Sequence, residues 1–128
     1  MKKNIAIISG GDSSEYVISV KSAEQIMNWV NPEKYEAYLV NLRNNNWNVI
    51  LKNGQKIPVD LRDFSLNLKL RKIRFDYAFI IIHGDPGENG KIQSFLELQN
   101  IPYNTSGILS SALSFNKHAC KIFLKNSG

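Results

Sequence analysis

Short apolar runs and amphipathic stretches alternate along this chain, which is the pattern of an α/β domain. Residues 3–9 form a β-branched apolar run that ends at Gly10-Gly11, typical of a buried strand followed by a tight turn. Apolar spacings of three and four predict a helix over 17–30, and a second strand is predicted over 35–42. The predicted inner face of the helix consists of Val17, Val20, Ala23, Met27 and Val30. The chain therefore opens as strand–helix–strand, the first unit of a parallel sheet.

The stretch 43–75 departs from this pattern and predicts antiparallel structure. A strand-like segment over 47–51 is followed by Asn53-Gly54, a pair that favours a two-residue hairpin because both turn positions need a positive φ. Residues 57–59 would return from that turn, and alternating apolar and polar residues over 64–70 predict one further strand. We expect this stretch to be an antiparallel insertion at the edge of the sheet.

The α/β pattern resumes with a nearly continuous apolar run over 75–82, which predicts a central strand covered on both faces. A helix is predicted over 88–99, a short strand over 101–103, and a final helical region over 108–125. The predicted inner face of the first of these helices consists of Ile92, Phe95 and Leu96, with Gln99 at its margin. The expected fold is α/β, a mostly parallel sheet with helices on both faces (Rossmann-like) and an antiparallel β insertion.

Two of the predicted strands end in glycine-containing turns that feed helices, and these turns are candidates for a binding site. The first turn, 10–15, carries Glu15, and the second begins with His83-Gly84. Ligands of open parallel sheets bind beyond the carboxyl ends of the strands, so Glu15 and His83 would converge if their strands are parallel neighbours. Neither turn matches a phosphate-binding fingerprint, because the first lacks the G-x-G-x-x-G spacing and Ile92 replaces the Walker A serine or threonine in the second.

Each candidate side chain also has an ordinary structural interpretation. Asp12 and Glu15 have the spacing of a capping box, so Glu15 could bond a backbone amide at the helix start instead of a substrate ammonium. His83 could equally bond a nearby backbone group or touch substrate. Lys117, on a predicted helix, is by default a solvated lysine. From the residues alone capping is favoured for Glu15, and the turns indicate a small-molecule site without specifying a reaction.

Composition limits the class of protein. A chain of 128 residues is one ordinary domain, and 43% hydrophobic with 21% charged residues is typical of soluble globular proteins. No apolar run approaches the ~20 residues that span a bilayer, and the start of the chain lacks the apolar core of a signal peptide. The single cysteine, Cys120, cannot form an internal disulfide and is expected to be an ordinary buried or half-buried thiol, which favours a cytoplasmic location.

The net charge of +5 raises the question of a nucleic-acid partner. The densest group of basic residues, between predicted elements, consists of Lys69, Arg71, Lys72 and Arg74. Surfaces that bind nucleic acid commonly interleave such charges with aromatic side chains, which this group lacks. We therefore expect a solvated edge, with neither a nucleic-acid nor a membrane partner.

Two motifs resemble those of the D-alanine–D-alanine ligases. Residues 10–19 read G-G-D-S-S-E-Y-V-I-S and are similar to the G-G-x-S-x-E-x-x-V-S start of that family. Residues 83–93 resemble its H-G-x-x-G-E-D-G-x-x-Q motif, with Asn89 in place of the aspartate. Further matching segments follow in order at 96–97, 101–103, 106–107 and 111–117. The resemblance covers 3–42 and 75–128, whereas the insertion between them matches no part of it.

The resemblance implies an ATP-grasp ligase of peptidoglycan synthesis. In that family ATP phosphorylates the carboxylate of one D-alanine, and the amine of a second attacks the acyl phosphate while Mg²⁺ offsets phosphoryl charge. By position, Glu15 would hold the ammonium of the first D-alanine, with Ser19 in the same loop as a further substrate-binding residue. His83 would orient that substrate or handle a proton, which makes Glu15 and His83 the implied catalytic residues. Lys117 matches a lysine that contacts the phosphates of ATP.

The resemblance also implies a division of the chain and a set of partners. Residues 1–104 would form the substrate-side domain, and 105–128 would begin the central ATP-grasp region. The stretch 1–128 by itself is expected to be inactive, because ATP and Mg²⁺ are bound mainly by the later domains and no metal ligand is expected here. A cytoplasmic homodimer is implied. The alternatives left open are a D-alanine–D-lactate or D-alanine–D-serine ligase and a non-catalytic flavodoxin-like binding module.

Overall fold

The structure, a computed structural model, describes residues 2–82 and 91–103. The elements of this part of the chain are β1 Lys3–Gly10, α1 Tyr16–Met27, β2 Tyr35–Arg43, β3 Asn46–Ile50, β4 Lys56–Pro58, β5 Ser65–Leu68, β6 Arg71–Arg74, β7 Tyr77–Ile81 and α2 Lys91–Leu98. Five of the strands form one sheet and β5 and β6 form a second. The final helical region predicted over 108–125, with Cys120, lies outside the described residues.

The larger sheet has the strand order β4-β3-β2-β1-β7. β1 is paired in parallel with β2 on one side and with β7 on the other, and Ser9 lies opposite Ile81 in the second pairing. β2, β3 and β4 are paired antiparallel. The sheet is therefore mixed, with its parallel pairings at β1 and its antiparallel ones in the stretch that the sequence predicted to be an insertion.

Each face of the sheet has its own apolar core, because successive side chains of a strand point to opposite faces. On one face Ile5 and Ile7 pack with Ala23 and Ile26 of α1. The other face is covered by α2 and the β5–β6 hairpin, and its core includes Ala6, Ile8, Val40, Val49, Phe64, Leu66, Ile73, Ile80, Ile92 and Leu96. The predicted arrangement of helices on both faces is thus confirmed.

The antiparallel stretch divides into two parts, which corrects the sequence prediction. β3 and β4 extend the sheet edge as expected. The strand predicted over 64–70 is present but shorter than predicted, because β5 spans Ser65–Leu68 and the chain then reverses through Lys69 and Leu70 into β6. The resulting hairpin lies on the face of the sheet, where Leu66 and Ile73 pair and are both buried. Because the chain reverses, side chains of both β5 and β6 pack into the core on this face, which a single strand at the sheet edge would not allow.

An aromatic cluster holds this hairpin on the sheet. Phe64 is fully buried, with its ring centroid 5.1 Å from that of Phe75, 5.5 Å from that of Trp47 and 5.6 Å from that of Phe95. Two of these contacts are edge-to-face, a geometry that adds about 0.5–1.5 kcal/mol per pair beyond the buried area. The cluster joins the hairpin, β3 and α2 into one core.

The inner face of α1 is also shifted from the prediction. Its buried residues are Ser19, Ala23 and Ile26, whereas Val17, assigned to the inner face by periodicity, is 58% exposed. Ser19 is drawn inwards because its hydroxyl bonds backbone groups at two strand ends. α2 follows the prediction, since Ile92 and Leu96 are its buried residues.

The short strand predicted over 101–103 is represented by a single parallel bridge. Tyr103 pairs with Ala78 of β7, and the amide of Ala78 donates to the carbonyl of Pro102 over 2.9 Å. The chain thus returns from α2 to the free side of β7. This places the connection between α2 and the sheet on the side away from β2.

The Asp60 carboxylate gives a pH-dependent contribution to stability. It accepts hydrogen bonds from the guanidinium of Arg62 over 2.9 and 3.1 Å, and these bonds lower the pKa of Asp60 from 3.8 to about 2. Because folding lowers this pKa, the stabilisation is present above pH 3.8 and is lost as the pH falls through about 2. We expect Asp60→Asn to lower the unfolding free energy near neutral pH, and the difference from the parent protein to vanish across that window. Urea unfolding at a series of pH values measures this difference in unfolding free energy.

The exposed Glu33→Gln is the control for loss of one surface carboxylate. A difference between the parent protein and Asp60→Asn that stays constant down to the lowest pH would contradict the assignment.

Candidate functional site

The carboxyl ends of β1 and β7 lie side by side, as the sequence predicted for the two glycine-containing turns. The chain leaves β1 towards β2 on one side and returns as β7 on the other, so the strand order changes direction at β1. Ligands of open α/β sheets bind in the crevice at such a switch point. We call the crevice between the ends of β1 and β7, with the turn 10–15 beside it, the strand-end crevice.

The turn that follows β1 requires glycine at positions 10 and 11. Gly10 and Gly11 have φ values of 109° and 91°, a region that side chains with a Cβ rarely adopt. The amide of Gly11 donates to the carbonyl of Leu42 over 2.6 Å. A Cβ built on Gly10 would run into that same carbonyl oxygen and would lie 3.1 Å from the ring of Tyr16. The turn is therefore set by close approach to β2 as well as by its own dihedral angles.

A clamp from the turn between β2 and β3 holds the glycine turn in place. The guanidinium of Arg43 lies 4.1 Å from the ring centroid of Tyr16 and donates to the carbonyl of Gly11 over 3.4 Å. The amide of Asn44 donates to the Oδ1 of Asp12 over 2.8 Å. This clamp was not predicted from the sequence. The only signal available was the run of asparagines after Arg43, since Asn44 has the positive φ (51°) that asparagine tolerates better than most residues.

Glu15 ends the glycine turn and is the N-cap residue of α1. Its side chain is exposed and makes no capping hydrogen bond, so the capping-box interpretation is wrong. The backbone around it is ordered by two bonds, from the Glu15 amide to the Oγ of Ser13 over 3.1 Å and from the Ser19 amide to the Glu15 carbonyl over 3.0 Å. Among residues 2–82 and 91–103 the Glu15 carboxylate has no hydrogen-bond or ion-pair partner. A fixed backbone thus presents an uncommitted negative charge at the crevice.

Ser19 lies in the first turn of α1 and not in the loop that carries Glu15, which corrects the placement implied by the resemblance. Its side chain is fully buried. The Oγ accepts a hydrogen bond from the amide of Gly10 over 2.9 Å and donates one to the carbonyl of Ile81. The hydroxyl therefore bonds to the backbone of both strands and is shielded from solvent.

An exposed apolar pair accompanies Glu15. Val17 and Ile18 are 58% and 56% exposed, although both stand in the first turn of a helix that packs on the sheet. Ile18 follows Glu15 by three residues, a spacing that places two side chains on one face of a helix. Periodicity alone assigned Val17 to the core, so this exposed surface was not predicted from the sequence. A carboxylate beside a small apolar surface is suited to an amino acid with a short side chain.

Two predicted site residues cannot be placed, because His83 and Lys117 lie outside the described residues. What the structure does establish is where the chain leaves β7: the strand ends at Ile81, opposite Ser9, one residue before β1 ends. The condition for convergence of Glu15 and His83, that their strands be parallel neighbours, is therefore confirmed. The convergence itself stays a prediction.

Neither a metal centre nor a membrane span is built from the described residues. Within 2–82 and 91–103 no group of three or more histidine, cysteine, aspartate or glutamate side chains could hold a metal ion. No described helix is long and apolar enough to cross a membrane.

Comparison with known proteins identifies a family that this chain matches. Residues 4–106 match the family described as the D-ala D-ala ligase N-terminus. A D-alanine–D-alanine ligase of Bacteroides thetaiotaomicron is 44% identical over 128 residues, which is all of this chain and 40% of that protein. The D-alanyl-alanine synthetase A of Vibrio cholerae is 33% identical, with a TM-score of 0.69 over 97% of this chain and 37% of that one.

A D-alanine–D-alanine ligase of Bacillus anthracis, solved in complex with ATP, is similar over 96% of this chain and 34% of that one. Its TM-score is 0.57 and its identity 27%. The chain thus spans about 40% of the length of the curated relatives it matches.

Proposed function

The chain belongs to the D-alanine–D-alanine ligase family, and we propose that it forms one wall of the first D-alanine site in an ATP-dependent ligase of peptidoglycan synthesis. In the reaction, the carboxylate of one D-alanine attacks the terminal phosphorus of ATP and gives an acyl phosphate and ADP. The amine of a second D-alanine then attacks the acyl carbon, phosphate leaves, and the dipeptide forms. The ATP complex of the Bacillus anthracis relative supports the nucleotide in this proposal.

The observation that carries the proposal is the exposed Glu15 carboxylate beside the strand-end crevice, for which residues 2–82 and 91–103 provide no hydrogen-bond or ion-pair partner. A charge-assisted bond from a substrate ammonium is among the stronger hydrogen bonds available to a protein, and it needs a carboxylate not already committed to the fold. The exposed apolar surface of Val17 and Ile18 would lie against the methyl group of the bound D-alanine. This arrangement fits a small zwitterionic amino acid better than a nucleotide or a peptide.

The remaining site residues take roles that follow from position. We assign to His83 the orientation of the first D-alanine or the handling of a proton on it, because the residue follows the end of β7. Lys117 would contact the phosphates of ATP. Mg²⁺ would supply charge neutralisation at the transferring phosphoryl group, and we assign its ligands to the later domains of the full-length protein. Glu15 thus holds the substrate while other parts of the protein perform the phosphoryl transfer.

The test is turnover by the full-length protein. With ATP, Mg²⁺ and D-alanine it is expected to release ADP and phosphate and to form D-alanyl-D-alanine, detected by mass spectrometry. Residues 1–128 alone are expected to show no phosphate release stimulated by D-alanine. A full-length protein that hydrolyses ATP without forming the dipeptide, or ignores D-alanine, would remove the proposal.

The second substrate remains a separate question within the same family. A D-alanine–D-lactate or D-alanine–D-serine ligase would share the first-substrate wall described above. Competition of D-lactate and D-serine against D-alanine in the same assay decides between them, and we expect D-alanine to be preferred. The non-catalytic flavodoxin-like module is excluded by the family to which the chain belongs.

The proposal extends to the organisation of the whole protein. The family match ends at residue 106, which supports a boundary between a substrate-side domain over 1–104 and the start of an ATP-grasp region over 105–128. A ligase that consumes ATP works where ATP is made, so we assign it to the cytoplasm. We also assign it a homodimer, because the resemblance to the family implies one. Light scattering on the full-length protein is expected to give twice the chain mass, and the mass of one chain would refute the dimer.

A further inference from the structure

Tyr16, the first residue of α1, packs its side chain inwards at the start of this helix. It is half-buried, whereas Val17 and Ile18, which follow it, are 58% and 56% exposed. Position 16 is unspecified in the motif that residues 10–19 share with the ligase family, so the resemblance assigns this tyrosine no role. Its contacts therefore have to be explained from the structure of this chain.

Three contacts hold the Tyr16 side chain at the ends of β1 and β2. A Cβ built on Gly10 would lie 3.1 Å from Cε2 of the ring, so the ring occupies the space that a side chain at position 10 would need. The phenol oxygen accepts a hydrogen bond from Nδ2 of Asn41 over 2.9 Å. The guanidinium of Arg43 lies over the ring, 4.1 Å from its centroid, where the π-electron face attracts a cation.

Arg43 joins this ring to the glycine turn. Arg43 is the last residue of β2, and its guanidinium also donates to the carbonyl of Gly11 over 3.4 Å. Gly11 lies near the start of the turn 10–15, and Tyr16 follows directly after its end. One side chain of β2 therefore contacts both ends of the segment that carries Glu15.

We propose that Tyr16, held by Arg43, is a positioning residue that fixes the start of α1 and thereby the placement of the Glu15 carboxylate at the strand-end crevice. Residues 2–82 and 91–103 provide no partner for that carboxylate, so its position depends on the backbone of Glu15. The hydroxyl of Ser13 bonds the Glu15 amide from within the turn, whereas Tyr16 ties the same backbone to β2. The inference rests on the proposed function, because the carboxylate is taken to hold the ammonium of the first D-alanine.

The kinetic test is Tyr16→Leu in the full-length protein, which removes the ring and the hydroxyl but keeps an apolar side chain. We expect the KM for the first D-alanine to rise about threefold to tenfold and the KM for ATP to stay unchanged, because a small misplacement of a binding group weakens the contact it makes. Tyr16→Phe keeps the ring and loses only the bond from Asn41, so the same KM should stay within about twofold of the parent value.

Tyr77→Leu is the matched control. Tyr77 is also half-buried, but it begins β7 and so lies at the end of the sheet opposite the crevice. Each variant is assayed at the same interval below its own melting temperature, and Tyr77→Leu should then leave both KM values unchanged. An unchanged KM for D-alanine in Tyr16→Leu, or equal rises in the two leucine variants, would overturn the proposal.

A double-mutant cycle tests whether Arg43 acts through Tyr16. Arg43→Gln should raise the KM for the first D-alanine as well, whereas Arg71→Gln, at an exposed arginine of the β5–β6 hairpin, should not. Because the two side chains share one contact, the double variant Tyr16→Leu/Arg43→Gln should show less than the product of the two single increases. An increase equal to that product would overturn the role of Arg43.

Amide hydrogen exchange tests the positioning without substrate. The Ser19 amide donates to the Glu15 carbonyl over 3.0 Å, so its protection reports whether the first turn of α1 is closed. We expect this amide to exchange about tenfold faster in Tyr16→Leu, with exchange at Ile26 unchanged. Unchanged protection at Ser19 would overturn the proposal, and Arg43→Gln carries the same measurements if Tyr16→Leu does not fold. Faster exchange in a protein without ligase activity would count against the proposed function alone, and an active ligase with unchanged KM and protection against Tyr16 alone.

Discussion

Replacing Gly10 with alanine is expected to lower the free energy of unfolding by about 2–5 kcal/mol, because two separate costs add at this position. The φ of 109° is unfavourable for any residue with a Cβ, at roughly 1–2 kcal/mol. The new Cβ would also collide with the carbonyl of Leu42, a backbone atom held in the parallel pairing of β1 and β2. Overpacking against atoms that cannot move adds about 1–3 kcal/mol. Urea unfolding followed by circular dichroism measures the sum.

Gly54→Ala is the matched control. Gly54 also has a positive φ, 87°, but a Cβ there would meet no atom within 4 Å. It should therefore show the dihedral cost alone, about 1–2 kcal/mol. Equal losses at the two glycines would mean that β2 gives way and that close approach does not define the turn.

On the function proposed above, replacing Glu15 with glutamine in the full-length protein is expected to weaken use of the first D-alanine by about 1.5–3 kcal/mol, the range for a hydrogen bond to a charged group. That loss corresponds to roughly 10–150-fold in kcat/KM. The reason is that the amide keeps the size of the side chain but cannot pair with an ammonium as a full charge. Since Glu15 makes no capping hydrogen bond, the melting temperature should change little. Steady-state kinetics with D-alanine varied at saturating ATP is the measurement.

Glu24→Gln makes the same chemical change at an exposed position on the same helix, away from the crevice. It controls for the loss of one negative charge from α1. Kinetic constants that are the same in Glu15→Gln and the parent enzyme would show that the ammonium is bound elsewhere and that the uncommitted carboxylate is only a surface charge.

The elements that the sequence predicted well are mainly strands buried on both faces, because such burial is visible as a continuous apolar run. The runs at 3–9 and 75–82 are largely apolar because β1 and β7 are each covered on both faces by a core, although β7 ends the strand order and is not the central strand that the run predicted. Asn53-Gly54 marked the reversal between β3 and β4, but the predicted two-residue turn is wrong, because the connection runs over 51–55 and only Gly54 of the pair has a positive φ. The carboxyl ends of neighbouring parallel strands lie at the same edge of a sheet. The location of the strand-end crevice could therefore be predicted from the positions of β1 and β7 in the sequence.

Other features depend on contacts between residues far apart in the chain and leave no periodic signal. The alternation over 64–70 continues through a turn, so Leu70 fits the pattern of a strand and is fully exposed at a hairpin tip. Ser19 faces inwards because of two backbone partners, whereas hydropathy places a serine outside. The clamp of Arg43 on Tyr16 joins residues that are 27 positions apart, and neither predicts the other.

Some features of the candidate site were likewise predicted from the sequence, and others were not. Glu15 and the end of the strand before His83 were both predicted from the residues as features of a site. For the Glu15 side chain, however, the residues favoured a helix-capping role. Resemblance reversed that preference, and the geometry of α1 gives the physical reason: the cap position is filled by the backbone of Glu15 while its side chain remains outside. The apolar surface beside it was not predicted, since Val17 and Ile18 are exposed against their hydropathy.

The outermost strand on the insertion side of the sheet, β4, has only three residues and ends at Pro58. Proline offers no amide hydrogen, and the exposed Lys56 at the other end of β4 brings a charge to the same border. Such a border is a poor template for a strand from a neighbouring molecule. Self-association at this border should therefore involve side-chain surfaces and not continuation of the sheet past β4.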